Sequence, residues 1–308
     1  MIRMKFFLKG FLFSLFLILP FSIQAAKIEN VAGTPVSGDF LLEKGKTELI
    51  LSPGQLVNEE ISIINRSGKR VEFRLVMENV FAGKGYAPGL TFSDAGPGPY
   101  SLRPFISLKD DSFYLEHGQK ATIPVSIKIP DGAKAGGLYG AVTFIASVSG
   151  ADSGLDARLS SLIFVTIKEN ARPAGKIESF TSLNKIFLGT PAVFEVGFAN
   201  EGNIAVSPNG KIVVSSMVGG TDKEIAVDQF YVMPESSRRQ QYSVDDLPSG
   251  LYKARAELQA SEISSVSSEI YFCVLPALSR IILAGIIVLI LIFLFFRFLK
   301  AYKKKSLK

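Results

Sequence analysis

The sequence predicts an all-β protein of two tandem antiparallel β-sandwich domains, held between two apolar end segments. Three observations predict it. Short runs alternate apolar and polar residues at period two. Clusters of Gly, Pro, Asn and Asp punctuate those runs at short intervals. The long charge-free apolar stretches lie only at the two ends of the 308 residues, and no amphipathic helix of three turns is predicted between them.

At the N-terminus, Arg3, Lys5 and Lys9 precede an apolar stretch from Gly10 to Leu19. Pro20 breaks that stretch, and Ala25 and Ala26 offer small residues for cleavage. Residues 1–25 are therefore expected to be a signal peptide, cut after Ala25.

The first domain is expected over residues 26–171. Its strand patterns are Thr47–Leu51, Ile61–Ile64, Val71–Val76, the alternating Ile123, Val125, Ile127 and Ile129, then Ala141–Ile145 and Leu162–Ile167. Pro124 marks an edge or bulge position. Turn signals separate these runs at Ser52–Gly54, Asn65–Gly68 and Pro130–Gly132. A Gly/Pro-rich insertion covers residues 82–104. Asn-Ala-Arg-Pro-Ala-Gly, ending at Gly175, interrupts the pattern and reads as a linker.

The second domain is expected over residues 172–272, with patterns at Val193–Phe198, Lys211–Ser215, Asp228–Val232 and Tyr252–Leu258. The two halves echo each other. In each, a strand ends in Asn (Asn65, Asn200) and a later segment reads Gly-Leu-Tyr (Gly137–Tyr139, Gly250–Tyr252). The Asn-to-Tyr interval is 74 residues in the first half and 52 in the second, and the insertion accounts for the excess.

Residues 277–299 are expected to form one transmembrane helix. Its centre, Ile281–Phe296, is 16 residues without a charge, or ~24 Å of helix. Arg280 and Arg297 flank it. The tail, 300–308, carries Lys300, Lys303, Lys304 and Lys305 and is expected in the cytoplasm by the positive-inside rule. The ectodomain is then extracellular or periplasmic. The formal charge of +6 arises at these ends. Residues 27–279 hold 24 basic and 28 acidic residues, so nucleic-acid binding is not expected.

Composition also limits the chemistry. One Cys and one His exclude a disulfide framework and a His/Cys zinc site within the chain. No cofactor, metal or small-molecule partner is predicted. Asp110-Asp111 and Asp245-Asp246 are adjacent pairs, whereas glycoside hydrolysis needs two carboxylates facing across a cleft. His117 lies in a turn, without a nucleophile elbow elsewhere. Asp152–Asp156 lacks the ligand density of a calcium loop. Asn65-Arg-Ser67 is a formal glycosylation sequon but reads as a turn. Arg238 and Arg239, as strand neighbours, must face opposite sides. Cys273 reads as a small apolar residue near the membrane.

Catalytic residues are therefore not predicted. The candidate ligand-binding residues are Tyr86, Phe92, Tyr100 and Phe105, spaced along a stretch with 8 Gly or Pro in the 17 residues from Gly83 to Pro99. Aromatics on a stiff loop can grip sugars or protein surfaces.

The order of turn motifs also resembles a known family. Leu51-Ser-Pro-Gly54, Ile64-Asn-Arg-Ser67, Ile129-Pro130 and Gly136-Gly-Leu-Tyr-Gly140 resemble the first domain of the bacterial WxL-interacting cell-surface proteins. Phe198–Asn203, Pro208–Gly210, Met233–Arg238 and Gly250–Tyr252 are similar to the second. The sequence departs in its long insertion and in having no Trp. The resemblance implies two immunoglobulin-like domains, the first peptidoglycan-associated and the second binding a partner.

Two functions are thus expected. One is a non-enzymatic, membrane-anchored bacterial surface protein that binds cell-wall polymer or another surface protein through loops and edges. The other is a membrane-tethered assembly factor or chaperone that holds surface or pilus subunits by strand addition.

Overall fold

The computed structural model describes residues 25–83, 89–94, 96–133, 136–147, 157–220, 222–276 and 278–306. The expected signal peptide lies outside these, apart from Ala25. Tyr86 and the Asp152–Asp156 stretch also lie outside.

The first module contains β1 (Lys27–Asn30), β2 (Phe40–Leu42), β3 (Lys46–Leu51), β4 (Leu56–Asn65), β5 (Val71–Ala82), β6 (Leu90–Ser93), β7 (Ile106–Ser107), β8 (Ser112–Leu115), β9 (Gln119–Lys128), β10 (Gly137–Ser147) and β11 (Ala157–Ile167). One sheet runs β1-β9-β4-β2, with β7 also on β9; the other runs β3-β11-β10-β5-β6, with β8 also on β5. The alternation on β9 explains the sandwich. Ala121, Ile123, Val125 and Ile127 point into a core with Phe73, Leu115 and Phe144, while Thr122, Pro124 and Ser126 stay partly exposed. β1 and β7 occupy one side of β9 at its two ends. Pro124 falls in the gap between them, where no strand of the described residues pairs on that side.

The second module contains β12 (Gly175–Ser182), β13 (Ile186–Leu188), β14 (Ala192–Asn200), β15 (Asn209–Ser216), β16 (Lys223–Val227), β17 (Ser236–Val244), β18 (Gly250–Ala260), β19 (Ile263–Val266) and β20 (Ile270–Leu275). A three-stranded sheet, β12-β14-β17, faces a second sheet, β13-β20-β18-β15-β16, to which β19 adds on β18. Phe194, Val196, Phe198, Ile212 and Phe272 fill the core between them.

The sheets are not wholly antiparallel. β2 pairs with β4 in one sheet, and the chain then crosses at Glu43–Gly45 so that β3 runs parallel to β11 in the other. The second module repeats the device: β12 pairs with β14, and β13 runs parallel to β20. A strand that changes sheets while keeping its direction meets the last strand of its module head to head, and parallel pairing follows.

The repeat extends to hydrogen bonds. Asn65 donates through Nδ2 to Lys69 O (2.7 Å) and Leu115 O (2.9 Å), and its Oδ1 accepts from Ser67 N (2.9 Å). Asn200 donates to Ile204 O (2.7 Å) and Val232 O (2.9 Å), and accepts from Gly202 N (2.9 Å). Both amides are buried, so the sequon at Asn65 is a turn lock. The register places β9 on β17, with Ile63 opposite Ala121 as Phe198 is opposite Arg238.

Asp228–Val232, expected as a strand, is an irregular crossing held by one bridge between Val206 and Val232. The strand at that place in the sheet is β17.

An α-helix, α1 (Leu278–Ser306), follows β20. Its described apolar side chains, from Ile282 to Phe296, are exposed. Among the described residues, no helix is long and apolar enough to cross a membrane. In α1 the side chains described are those of 282 and 284–297, a shorter apolar run than the 16 residues in the sequence. Arg297 is exposed; the side chains of Arg280, Lys300, Lys303, Lys304 and Lys305 lie outside the description.

Candidate functional site

Two features stand out above the cores: a packed elbow between the modules and a bare sheet edge on the second.

The elbow is built on the outer face of β10. All ten residues from Gly137 to Ala146 are buried, on both faces of the sheet. One face meets the first core. The other carries Tyr139 and Ala141, which pack with Val80 and Phe164 of the same module and with Met233 of the second. Tyr139 meets Phe164 edge-on at 5.0 Å between centroids, and Phe164 meets Tyr231 edge-on at 5.5 Å. Polar bonds close the rim. Ala205 N donates to Tyr139 Oη at 2.5 Å. Lys46 bonds Tyr231 Oη and pairs with Glu48 at 2.9 Å. In the linker, Asn203 accepts from Arg172 N at 2.7 Å and donates to Asn170 O at 2.8 Å. A Cβ on Gly136 would stand 2.3 Å from Asn203 Oδ1, and because these two bonds hold the Asn203 side chain in place, a larger residue at 136 would have to break them.

The predicted aromatics do not form one exposed row. Phe92 is on β6 and exposed. Tyr100 turns into the elbow, where its Oη donates to Glu235 Oε1 at 2.7 Å and its ring lies 6.5 Å from that of Tyr139. Phe105 packs against the first core and lines a shallow apolar cleft with Pro97, Pro99, Pro130 and Leu138. The described part of the insertion therefore braces the two modules.

Burial and the bond to Glu235 push the Tyr100 hydroxyl up to about 12. Its folded value lies above the unfolded one, so the bond's stabilisation is complete below pH 10 and is lost between pH 10 and 12. We therefore expect the elbow to loosen over that range, and Tyr100→Phe to flatten the transition. Tyrosine absorbance alongside small-angle scattering, as a function of pH, checks both.

The bare edge is β17. Its counterpart β9 has β4 on one side and β1 and β7 on the other. Among the described residues β17 pairs only with β14, through all nine residues. Ser237, Arg239, Gln241 and Ser243 are its exposed positions. Arg238, Gln240 and Tyr242 face inward, where β9 has Ala121, Ile123 and Val125. Arg238 donates to Tyr231 O at 2.9 Å, with its guanidinium 5.8 Å from the Phe230 ring centroid. Arg239 instead reaches Glu195 at 3.8 Å. The two arginines do take opposite faces.

The remaining polar candidates are engaged in structure. His117 accepts from Gly68 N at Nδ1 (3.3 Å) and its Nε2 faces Thr34 O (3.2 Å), joining two turns. Asp110 receives Ala26 N at 2.6 Å. Asp246 holds a left-handed turn at φ 56°. Cys273 is half-buried on β20. Among the described residues, no cluster of three His, Cys, Asp or Glu could hold a metal ion.

No family model and no curated protein matches the chain. Some solved structures are similar to the chain at low identity. The class 5 fimbriae chaperone CfaA is 14% identical, over 77% of this chain and 100% of that one, with a TM-score of 0.39. The CsuC–CsuE chaperone–tip adhesion subunit pre-assembly complex from the archaic chaperone-usher Csu pili of Acinetobacter baumannii is 12% identical over 66% and 89%, at 0.38. The E. coli chaperone DraB is 14% identical over 75% and 97%, at 0.36. These values carry nothing about what this chain binds.

Proposed function

We propose that this chain is an exported, non-enzymatic, membrane-tethered binding protein. Its second module takes an extended segment of another exported protein as an added strand on β17. The carrying observation is the bare edge of β17, set beside the covered edge of β9 in the same molecule. One module fills this position from its own chain with β1 and β7; in the other, among the described residues, β17 pairs only with β14, and its start at Ser236–Arg238 shares a cleft with Ala82, Gly83, Gly89 and Leu90 of the first module.

An unpaired edge offers a row of N–H and C=O groups to any extended chain. β1 and β7 run antiparallel to β9, so the incoming strand is read as antiparallel to β17. Arg238 and Gln240 under this edge make it a poor template for indiscriminate pairing, because a strand that buries them must satisfy them. A protein partner ranks ahead of cell-wall polymer because Tyr100 and Phe105 are committed to packing. The apolar centre of α1 and the lysines behind it support a tether that leaves both modules on the outer side of the membrane. The order of turn motifs shared with WxL-interacting proteins supports a role in surface assembly.

Along a strand, successive residues aim their N–H groups to opposite sides. Of Gln240→Pro and Gln241→Pro, one therefore removes a ladder donor to β14 and the other a donor at the free edge. We expect only the free-edge variant to fold like the parent. A photoreactive residue at position 239, in the exporting cell, should link one extended partner segment in the parent and none in that variant. Undiminished linking in a folded free-edge variant would overturn the proposal.

A further inference from the structure

The first module's covered edge is fastened by Ala26. Its backbone nitrogen lies 2.6 Å from Asp110 Oδ2, across 84 residues of sequence. Its methyl group packs against the first core, whereas Ala25 is exposed. β1 begins at the next residue and pairs with β9 from Lys27 opposite Thr122 to Asn30 opposite Gln119. At its far end, Val31 N donates to Gly118 O at 2.8 Å. Four paired residues make a weak strand by themselves, so the fastening at each end decides whether the edge stays closed.

Among the described residues, no lysine or arginine pairs with Asp110. A partly buried carboxylate that receives a backbone nitrogen and has no basic side chain paired with it suits an ammonium better than a neutral amide, because an ammonium balances its charge. Charge-assisted N–H···O bonds are the shorter and stronger class.

We infer that the chain is processed between Ala25 and Ala26 and that the new α-ammonium of Ala26 forms an ion pair with Asp110, locking β1 onto β9. The step is hydrolysis by a signal-peptidase-type protease. The Ala25–Ala26 C–N bond breaks and water supplies the oxygen to the Ala25 carbonyl. Ala25 leaves as a carboxylate, and the Ala26 nitrogen takes up protons to become –NH3+. Cleavage one residue later would delete the docked residue, and cleavage earlier would leave the charge outside its acceptor.

The test uses the full chain made in an exporting host and extracted from its membranes. Intact mass should place the N-terminus at Ala26. Hydrogen exchange over residues 27–30 then reads the lock. Asp110→Asn should speed that exchange about tenfold in the processed chain, as loss of a charged hydrogen bond implies. A chain with one Gly inserted between Ala25 and Ala26 carries its ammonium one residue away. There the exchange should already be fast, and Asp110→Asn should change it less than about twofold. A mature terminus elsewhere, or equal effects of Asp110→Asn in both chains, would overturn the inference.

Discussion

Phe164→Ala is expected to uncouple the two modules. The ring is buried between Tyr139 and Tyr231 and belongs to the elbow, not to either sandwich core. Truncating a buried Phe to Ala costs about 3–5 kcal/mol. Here that loss falls on the contact between modules, because the first core keeps Ile163, Val165 and Phe144. The expected result is a single thermal transition resolving into two, with a broader distribution of shapes in small-angle scattering. One transition, shifted but undivided and with an unchanged scattering profile, would mean that the Asn203 linker bonds and the Tyr100–Glu235 bond hold the elbow without the aromatic pack. The result also bears on binding. A rigid elbow fixes where the first module stands beside the start of β17, where Ala82 and Leu90 share a cleft with Ser236–Arg238, so a loosened one should lower partner linking while leaving the edge itself intact.

The cores were legible in the sequence because their strands are two-faced. β9, β14 and β18 alternate cleanly, and each contains the run that alternation predicts. The repeat was legible too, through Asn65 and Asn200. What periodicity missed has physical reasons. β17 reads Ser-Ser-Arg-Arg-Gln-Gln-Tyr-Ser-Val, and its inward positions are mostly polar because no strand covers its far side. An edge of this kind carries little apolar alternation. Conversely, Asp228–Val232 alternates convincingly but lines the open flank of the sandwich, where Phe230 and Val232 turn inward without a ladder. The elbow had a signal that alternation obscures. Gly137–Ala146 is almost unbroken in apolar and small residues, which is how a strand covered on both faces reads. The aromatics of the insertion pointed toward a ligand because sequence alone gives no direction to a loop, and Tyr100 turned out to face Glu235, 135 residues away. The parallel pairings of β3 and β13 depend on a strand changing sheets, which no local pattern encodes.

Asn200→Ala should cost about 3 kcal/mol, among the largest effects of any single polar substitution in the chain. The amide is buried and satisfies three backbone groups: the carbonyls of Ile204 and Val232 and the N–H of Gly202. Alanine removes all three bonds at once, and a buried backbone group without a partner costs about 1–3 kcal/mol. The bond to Ile204 O is only partly buried, so water reaches that carbonyl more readily than Val232 O, which holds the total below the simple sum. Asn200→Asp should be no milder, because a carboxylate would face two carbonyl oxygens. Asn65→Ala makes the same test in the first module, where Lys69 O, Leu115 O and Ser67 N lose their partner. The two sites share no contacts, so their effects should add within about 0.5 kcal/mol. Urea unfolding of both single variants and the double variant decides the point. Additive losses of similar size would establish the two asparagines as equivalent locks of one repeated turn. A loss below about 1 kcal/mol at either site would show that its turn is held by the strands alone.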